Sequence, residues 1–221
     1  MTVGESFGPR VTANTRRPQR GIERVDIALL FGFFVSGASA LVYQLSWQRA
    51  FYSIIGVDID SVTVVVSAFM LGIGLGGMAG GWLADRYPAK RIHLFAVAEL
   101  TIAAYGAATI SLLPWLDSHL LHTAWSTLGA RAALSFAVLA LPTTLMGMTL
   151  PLLTMAMNDK RQNVGVSVGA LYFANTLGAA LGALLVPMVL LHHFTLSATI
   201  ATAAIGNLLV AGSALLAARQ A

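Results

Sequence analysis

A single acidic residue, Glu99, lies inside an apolar stretch that runs from Ile92 to Leu116. If this stretch is a helix, Glu99 lies about 10 Å from its end, at 1.5 Å per residue. A carboxylate in contact with hydrocarbon costs several kcal/mol, so this side chain must face protein, water or a cation. It could be a proton or cation site, or it could join helices through a hydrogen bond or a pair with Arg86 or Arg91. We favour the structural role, because no second titrating group accompanies Glu99 to form a relay.

Three further polar residues lie in apolar stretches and complete a candidate intramembrane polar site with Glu99. They are Tyr43, Gln44 and Asn175. An amide inside a membrane helix usually bonds a neighbouring helix, with a contribution of about 1 kcal/mol or less. We therefore expect at least part of this set to hold helices together.

Histidine pairs are the other residues whose spacing could support chemistry. His119 and His122 lie one helical turn apart, and His192 precedes His193, but no further ligand clusters beside either pair. The sequence contains no cysteine, which excludes thiolate metal sites and a cysteine nucleophile. We predict no metal site, no cofactor and no catalytic residue, and hence that the protein is not an enzyme.

The composition shows which elements must position these residues. Of the 221 residues, 57% are hydrophobic and only 10% are charged, whereas soluble domains contain roughly 25% charged residues. A membrane span needs about 20 apolar residues, and the sequence offers six such runs: Asp26 to Trp47, Val62 to Ala84, Ile92 to Leu116, Ala132 to Met157, Val166 to Leu191, and Leu196 to Ala218. We predict an all-α membrane protein with a six-helix transmembrane domain over residues 26–218 and a disordered, basic, cytoplasmic tail over residues 1–25.

The basic residues determine the expected orientation. A cytoplasmic N-terminus places the tail arginines, the loop Asp85 to Arg91 and the loop Asp159 to Gln162 inside, and leaves Arg49 and Arg131 outside. This distribution follows the positive-inside rule. The formal charge of +4 therefore indicates topology and not nucleic-acid binding. We expect a multi-pass membrane protein with both termini in the cytoplasm.

Small residues recur every four positions in two of the predicted helices. The stripe of the second helix consists of Ala68, Gly72, Gly76, Gly80 and Ala84, and that of the fifth of Ala170, Ala174, Gly178 and Gly182. Such a stripe lets a partner backbone approach closely. We expect both stripes to be helix-packing interfaces that join the chain to itself or to a partner. Their matched positions suggest a three-plus-three internal repeat.

The fourth predicted helix contains two prolines, Pro142 and Pro151. Each removes a backbone donor and kinks a helix, and the threonines between them can satisfy freed carbonyls. Broken helices often line transport sites. They also occur as plain packing features, and the sequence favours neither interpretation.

The end of the second helix resembles a loop signature of the major facilitator transporters. The segment GWLADRYPAKR carries Asp85, Arg86, Lys90 and Arg91 in that pattern, with Pro88 where a glycine is typical. The resemblance implies a fold equivalent to half of a facilitator transporter.

Three segments resemble the N-terminal membrane region of bacterial fused transporter and spermidine-synthase-like proteins: SGASALVYQLSWQR, LPTTLMGMTLPLL and VGALYFANTLGAALGALL. The resemblance covers about residues 30 to 215, with Gln44 where an acidic residue is common. Family members continue into a soluble synthase domain, and this sequence contains no nucleotide-binding glycine loop. The resemblance implies a transporter-like half unit in the lipid bilayer of the bacterial inner membrane, as a homo-oligomer or as a subunit of a membrane complex. The alternatives are a structural or assembly subunit and a membrane anchor for a separate synthase-like enzyme.

Overall fold

A computed structural model of the protein describes residues 24–55, 59–120, 127–161 and 163–219. Six long helices account for nearly all of them: α1 Arg24–Ile55, α2 Ile59–Arg86, α3 Arg91–Leu120, α4 Leu128–Arg161, α5 Val164–Leu185 and α6 Leu196–Ala218. Each is long and apolar enough to cross a membrane. The predicted six spans are thereby confirmed, and the fold is that of an integral, multi-pass membrane protein. The predicted tail, residues 1–25, lies outside the described residues except for its last two, where α1 begins.

The helix ends follow local sequence signals. Asn163 caps α5, since its side-chain oxygen accepts the amide hydrogen of Val166 at 3.2 Å, and Thr195 caps α6 in the same way. Pro88 stops α2 and opens a short 3₁₀ turn before α3. After α5 the chain forms a π-helical turn, Val186–Leu190. Pro187 lies in this turn and has no amide hydrogen to donate, which breaks the regular hydrogen-bond register there.

Three helix pairs form the main contacts of the bundle: α2 packs on α4, α5 packs on α1, and α3 packs on α6. In addition, α1 contacts α6 and α3 contacts α4. Large buried side chains fill the space between the helices near both ends. The cluster near the α1 C-terminus includes Trp47, Phe51 and Phe69, and the cluster towards the other end includes Phe33 and Phe95.

Both predicted stripes lie in contacts within the chain. On α2, a Cβ atom added to Gly76 would overlap the backbone oxygen of Thr144 on α4. On α5, a Cβ atom added to Gly178 or Gly182 would overlap a backbone oxygen of α1. Glycine is therefore required at these positions for the helices to approach so closely. The other members of the α2 stripe are buried as well: Ala68, Gly72, Gly80 and Ala84. Association with a second chain through these stripes stays a prediction.

The helix α4 runs continuously through both of its prolines. Thr143 and Thr144 donate to the carbonyl oxygens of Leu139 and Ala140, each at 2.7 Å. These are not the acceptors that a proline leaves free, because a proline at position i frees the carbonyl of residue i−4. The expectation that threonines satisfy the freed carbonyl at Pro142 is therefore wrong.

Candidate intramembrane site

Glu99 joins three helices at the centre of the bundle. Its side chain is fully buried. One carboxylate oxygen accepts a hydrogen bond from the hydroxyl of Ser36 on α1 at 2.7 Å. The other accepts a hydrogen bond from the side-chain amide of Asn207 on α6 at 2.5 Å. The structural role expected for Glu99, an interhelical hydrogen bond, is thus present in the structure.

Small residues let the three helices come together around this carboxylate. Ala96 and Ala103 are buried on the Glu99 face of α3, and Ala203 is buried on α6. A Cβ atom added to Gly206 would overlap the hydroxyl oxygen of Ser39 on α1. Since small side chains permit close backbone approach in a membrane, the short side chain of Ser36 and the amide of Asn207 can both reach Glu99.

An aromatic pair lies further along α1, beginning about two helical turns beyond Ser36. Tyr43 and Trp47 are fully buried, with ring centroids 4.8 Å apart. The Tyr43 ring covers Gly106 of α3, which lies about two helical turns along α3 from Glu99. The Trp47 indole donates to the hydroxyl of Thr109 at 3.0 Å. The pair therefore ties α1 to α3.

Two buried polar atoms of this site have no hydrogen-bond partner among the described residues. They are the hydroxyl oxygen of Tyr43 and the side-chain oxygen of Asn207. The exposed fractions of these two side chains are 0% and 2%. Buried polar atoms are nearly always paired, and leaving one unpaired costs about 1–3 kcal/mol. These atoms give the site free hydrogen-bonding capacity.

A cavity of about 160 Å³ lies between the same three helices, towards the C-terminal end of α3. Its polar lining includes Ser53 of α1, Thr109 and Asp117 of α3, and Ser197 of α6. Asp117 contributes a buried carboxylate oxygen without a partner among the described residues. Thr109, which accepts from Trp47, lies at the boundary between this cavity and the aromatic pair.

The structure brings together only some of the predicted polar residues. Glu99 bonds Ser36 and Asn207, and Tyr43 lies about two helical turns further along the same contact between α1 and α3. Gln44 follows Tyr43 and so points about 100° away around α1. Asn175 lies on α5, where its backbone and side-chain oxygens contact Gly37. Sequence reasoning missed Asn207 as a partner of Glu99, although it is the one amide in the sixth apolar run.

A second polar cluster lies at the other end of the bundle, where Arg91 begins α3. Its guanidinium donates to the carbonyl oxygen of Ala84 at 2.8 Å and to both carboxylate oxygens of Asp159 at 2.7 and 2.5 Å. Among the described residues Glu99 pairs with neither arginine of the alternative interpretation, because Arg91 is engaged by α2 and α4 and Arg86 is exposed. Of the predicted loop motif, Asp85, Arg86 and Lys90 are exposed.

Comparison with known proteins reveals two aminopropyltransferases of Streptomyces coelicolor. Polyamine aminopropyltransferase 2 is 31% identical over 171 residues, which is 74% of this chain and 29% of that protein. Polyamine aminopropyltransferase 1 is 26% identical over 167 residues, 75% of this chain and again 29% of the relative. The chain thus spans less than a third of either relative. No protein-family model matches the chain, and no solved structure matches it significantly.

These relatives correct one expectation and support another. The prediction that the protein is not an enzyme is wrong, because both relatives carry the name of an enzyme. The spermidine-synthase-like part of the family resemblance is supported, since the similarity covers about three quarters of the chain. This chain is therefore similar, over most of its helices, to part of the polyamine aminopropyltransferases.

Proposed function

We propose that this chain is the membrane unit of a polyamine-aminopropyltransferase-type protein in the bacterial cytoplasmic membrane. One observation carries the proposal: the similarity to two aminopropyltransferases covers about three quarters of a chain whose helices are long enough to span a membrane. The matched part is therefore membrane-embedded. The role of this membrane unit is to localise the aminopropyl-transfer reaction, and the amines used in that reaction, to the membrane.

A transporter-like half unit is the second candidate function, and the helix pairing favours it. The two halves of the chain can be compared by exchanging α1 with α4, α2 with α5, and α3 with α6. Under this exchange the α2–α4 pair becomes the α5–α1 pair, and the α3–α6 pair stays the same. In both exchanged pairs, glycines of one helix meet backbone oxygens of the other. A three-plus-three repeat of the facilitator type would have this symmetry. The two functions are compatible, since a membrane unit that handles amines can also conduct them.

The proposed orientation places both termini in the cytoplasm. Arg91 and the basic residues near the α2–α3 and α4–α5 connections then lie on the inner side, in agreement with the positive-inside rule. A synthase-like enzyme, whether a separate subunit or part of the same protein, would meet the membrane unit on that side. We propose assembly as a homo-oligomer or with such a subunit.

Purification of the tagged protein from its source cells in mild detergent tests the proposal. The preparation is supplied with an aminopropyl donor and a diamine, and longer polyamines are measured. We expect product formation above that of an unrelated six-helix membrane protein purified in parallel, and a synthase-like subunit in the same fractions if the enzyme is separate. A preparation without transfer above this control would overturn the aminopropyltransferase assignment.

A further inference from the structure

We propose that a groove between α1 and the end of α5 binds one membrane phospholipid, with the lipid phosphate on Arg49 and an acyl chain along the apolar wall. The groove is a cavity of about 550 Å³, which lies within the range of about 300–1,000 Å³ typical of ligand pockets. Most of its lining side chains are half-buried or exposed, so the groove is open to the surroundings of the bundle. None of the observations that carry this proposal comes from the aminopropyltransferase relatives.

The groove forms where the close contact between α1 and α5 ends. At Gly182, an added Cβ atom would overlap the backbone oxygen of Ala38 on α1. Four residues later the same face of α5 carries Val186, a larger and buried side chain, and the π-helical turn that contains Pro187 begins there. A larger side chain keeps two helices further apart than glycine does. The contact therefore widens into the groove beyond Gly182.

The α1 side of the groove offers hydrogen-bond donors and one positive charge. Arg49, Gln48 and Tyr52 line this side. Gln48 donates to the Tyr52 hydroxyl oxygen at 2.9 Å, so the hydroxyl hydrogen can be donated to a ligand. Arg49 is exposed and pairs with no carboxylate among the described residues. A guanidinium group binds phosphate through two parallel hydrogen bonds. This side of the groove therefore fits a phosphate group.

The remaining walls of the groove are apolar and lie at the depth of the acyl chains. They consist of Leu45, Val186, Pro187 and Leu191. The apolar span of α1 begins at Ile27, and Arg49 lies about 33 Å further along the helix at 1.5 Å per residue. The hydrocarbon core of a bilayer is about 30 Å thick. Arg49 is therefore at the level of the lipid phosphates, and Leu45, one turn earlier, is in the hydrocarbon. A phospholipid matches both levels.

Native mass spectrometry of the delipidated protein in mild detergent tests the site. The probe is phosphatidylglycerol, and we expect one lipid per chain to bind saturably. Two comparators each lack one half of the ligand: a diacylglycerol with the same acyl chains lacks the phosphate, and glycerol 1-phosphate lacks the chains. Each should bind about tenfold more weakly or less, since hydrogen bonds to charged groups are the strong ones.

Two variants change the two sides of the groove separately. Arg49→Gln removes the guanidinium, and affinity for phosphatidylglycerol should fall about tenfold. Because Arg49 has no hydrogen-bond or ion-pair partner among the described residues, the lipid-free variant should unfold at an unchanged temperature. Leu191→Trp fills the groove and should displace the acyl chain.

Each variant has a matched control. Arg86→Gln removes an exposed arginine at the other end of the bundle. Met188→Trp adds the same bulk in the same π-helical turn, at a side chain that is 71% exposed and does not line the groove. Both controls should bind phosphatidylglycerol as the unmodified chain does.

Three results would overturn the site. They are the absence of saturable binding of phosphatidylglycerol, equal affinity for either comparator, and unchanged affinity in Arg49→Gln. Equal affinity for glycerol 1-phosphate would show a site for free phosphate compounds in place of a lipid site. Should Leu191→Trp fail to fold, Arg49→Gln alone decides. Lipid binding and aminopropyl transfer are measured separately, so either can fail without the other.

Discussion

The hydroxyl of Tyr105 on α3 donates to the carbonyl oxygen of Val138 on α4 at 2.6 Å. Val138 lies four residues before Pro142, so its carbonyl is the one that the proline deprives of its helical donor. In a bilayer no water replaces that donor. A tyrosine on a neighbouring helix thus completes the backbone hydrogen bonding of α4.

Removal of this hydroxyl should destabilise the bundle in a way that depends on Pro142. Tyr105→Phe leaves the Val138 carbonyl unpaired, at a cost of about 1–3 kcal/mol. In a Pro142→Ala background the helix amide returns, and the same Tyr105→Phe change should cost clearly less. Thermal unfolding of the four proteins in detergent measures this coupling. Equal losses in both backgrounds would show that Tyr105 does not serve the freed carbonyl.

Neighbouring glycines on α2 should respond in opposite ways to a larger side chain. Gly76→Leu would force α2 away from the backbone of Thr144 and should lower folded yield, with a loss of about 3 kcal/mol or more. Gly77→Leu is the matched control, because nothing lies within 4 Å of a Cβ atom there, and it should fold.

Size measurement of the folded Gly77→Leu protein then addresses association. A change in oligomeric state would assign the outer face of α2 to a partner. Folded Gly76→Leu protein at normal yield would instead show that the α2–α4 contact tolerates separation.

Features that repeat along one helix could be predicted from the sequence. Contacts that depend on how helices distant in sequence are oriented against each other could not. The spans were predictable because some 20 successive apolar residues leave few alternatives. The stripe of Gly72, Gly76 and Gly80 was predictable as a contact surface, but its partner on α4 was not. Likewise, the burial of Glu99 followed from its apolar neighbours. Its pairing with Asn207, 108 residues away, could not be derived from local periodicity.

Arg91 should matter more to stability than its ion-pair partner. Arg91→Ala removes a buried guanidinium that caps the α2 C-terminus at Ala84, and we expect a loss of about 2 kcal/mol. Asp159→Asn should cost about 0.5 kcal/mol, because the Asp159 side chain is 56% exposed and solvent screens the pair. Arg91→Lys should resemble Arg91→Ala, since one ammonium group cannot reach both acceptors. Chemical unfolding in detergent provides the comparison, and an Asp159→Asn loss as large as that of Arg91→Ala would contradict it.

The proposed orientation can be tested with single cysteines, because the chain contains none. A membrane-impermeant thiol reagent should label Ser118→Cys in spheroplasts and Lys160→Cys only after permeabilisation. Ala103→Cys, at a buried position, should stay unlabelled in both conditions. Labelling of Ser118→Cys and Lys160→Cys from the same side would contradict the six-span topology.

The two residues that donate hydrogen bonds to Glu99, Ser36 and Asn207, are synthesised at different times. Ser36 precedes Glu99 by 63 residues, so it is already in the bilayer when α3 enters. Asn207 is synthesised 108 residues later, which takes roughly 5 to 20 s at the usual rate of translation. During that interval the Glu99 side chain lacks one of its two donors, so the site can be completed only after α6 has been synthesised.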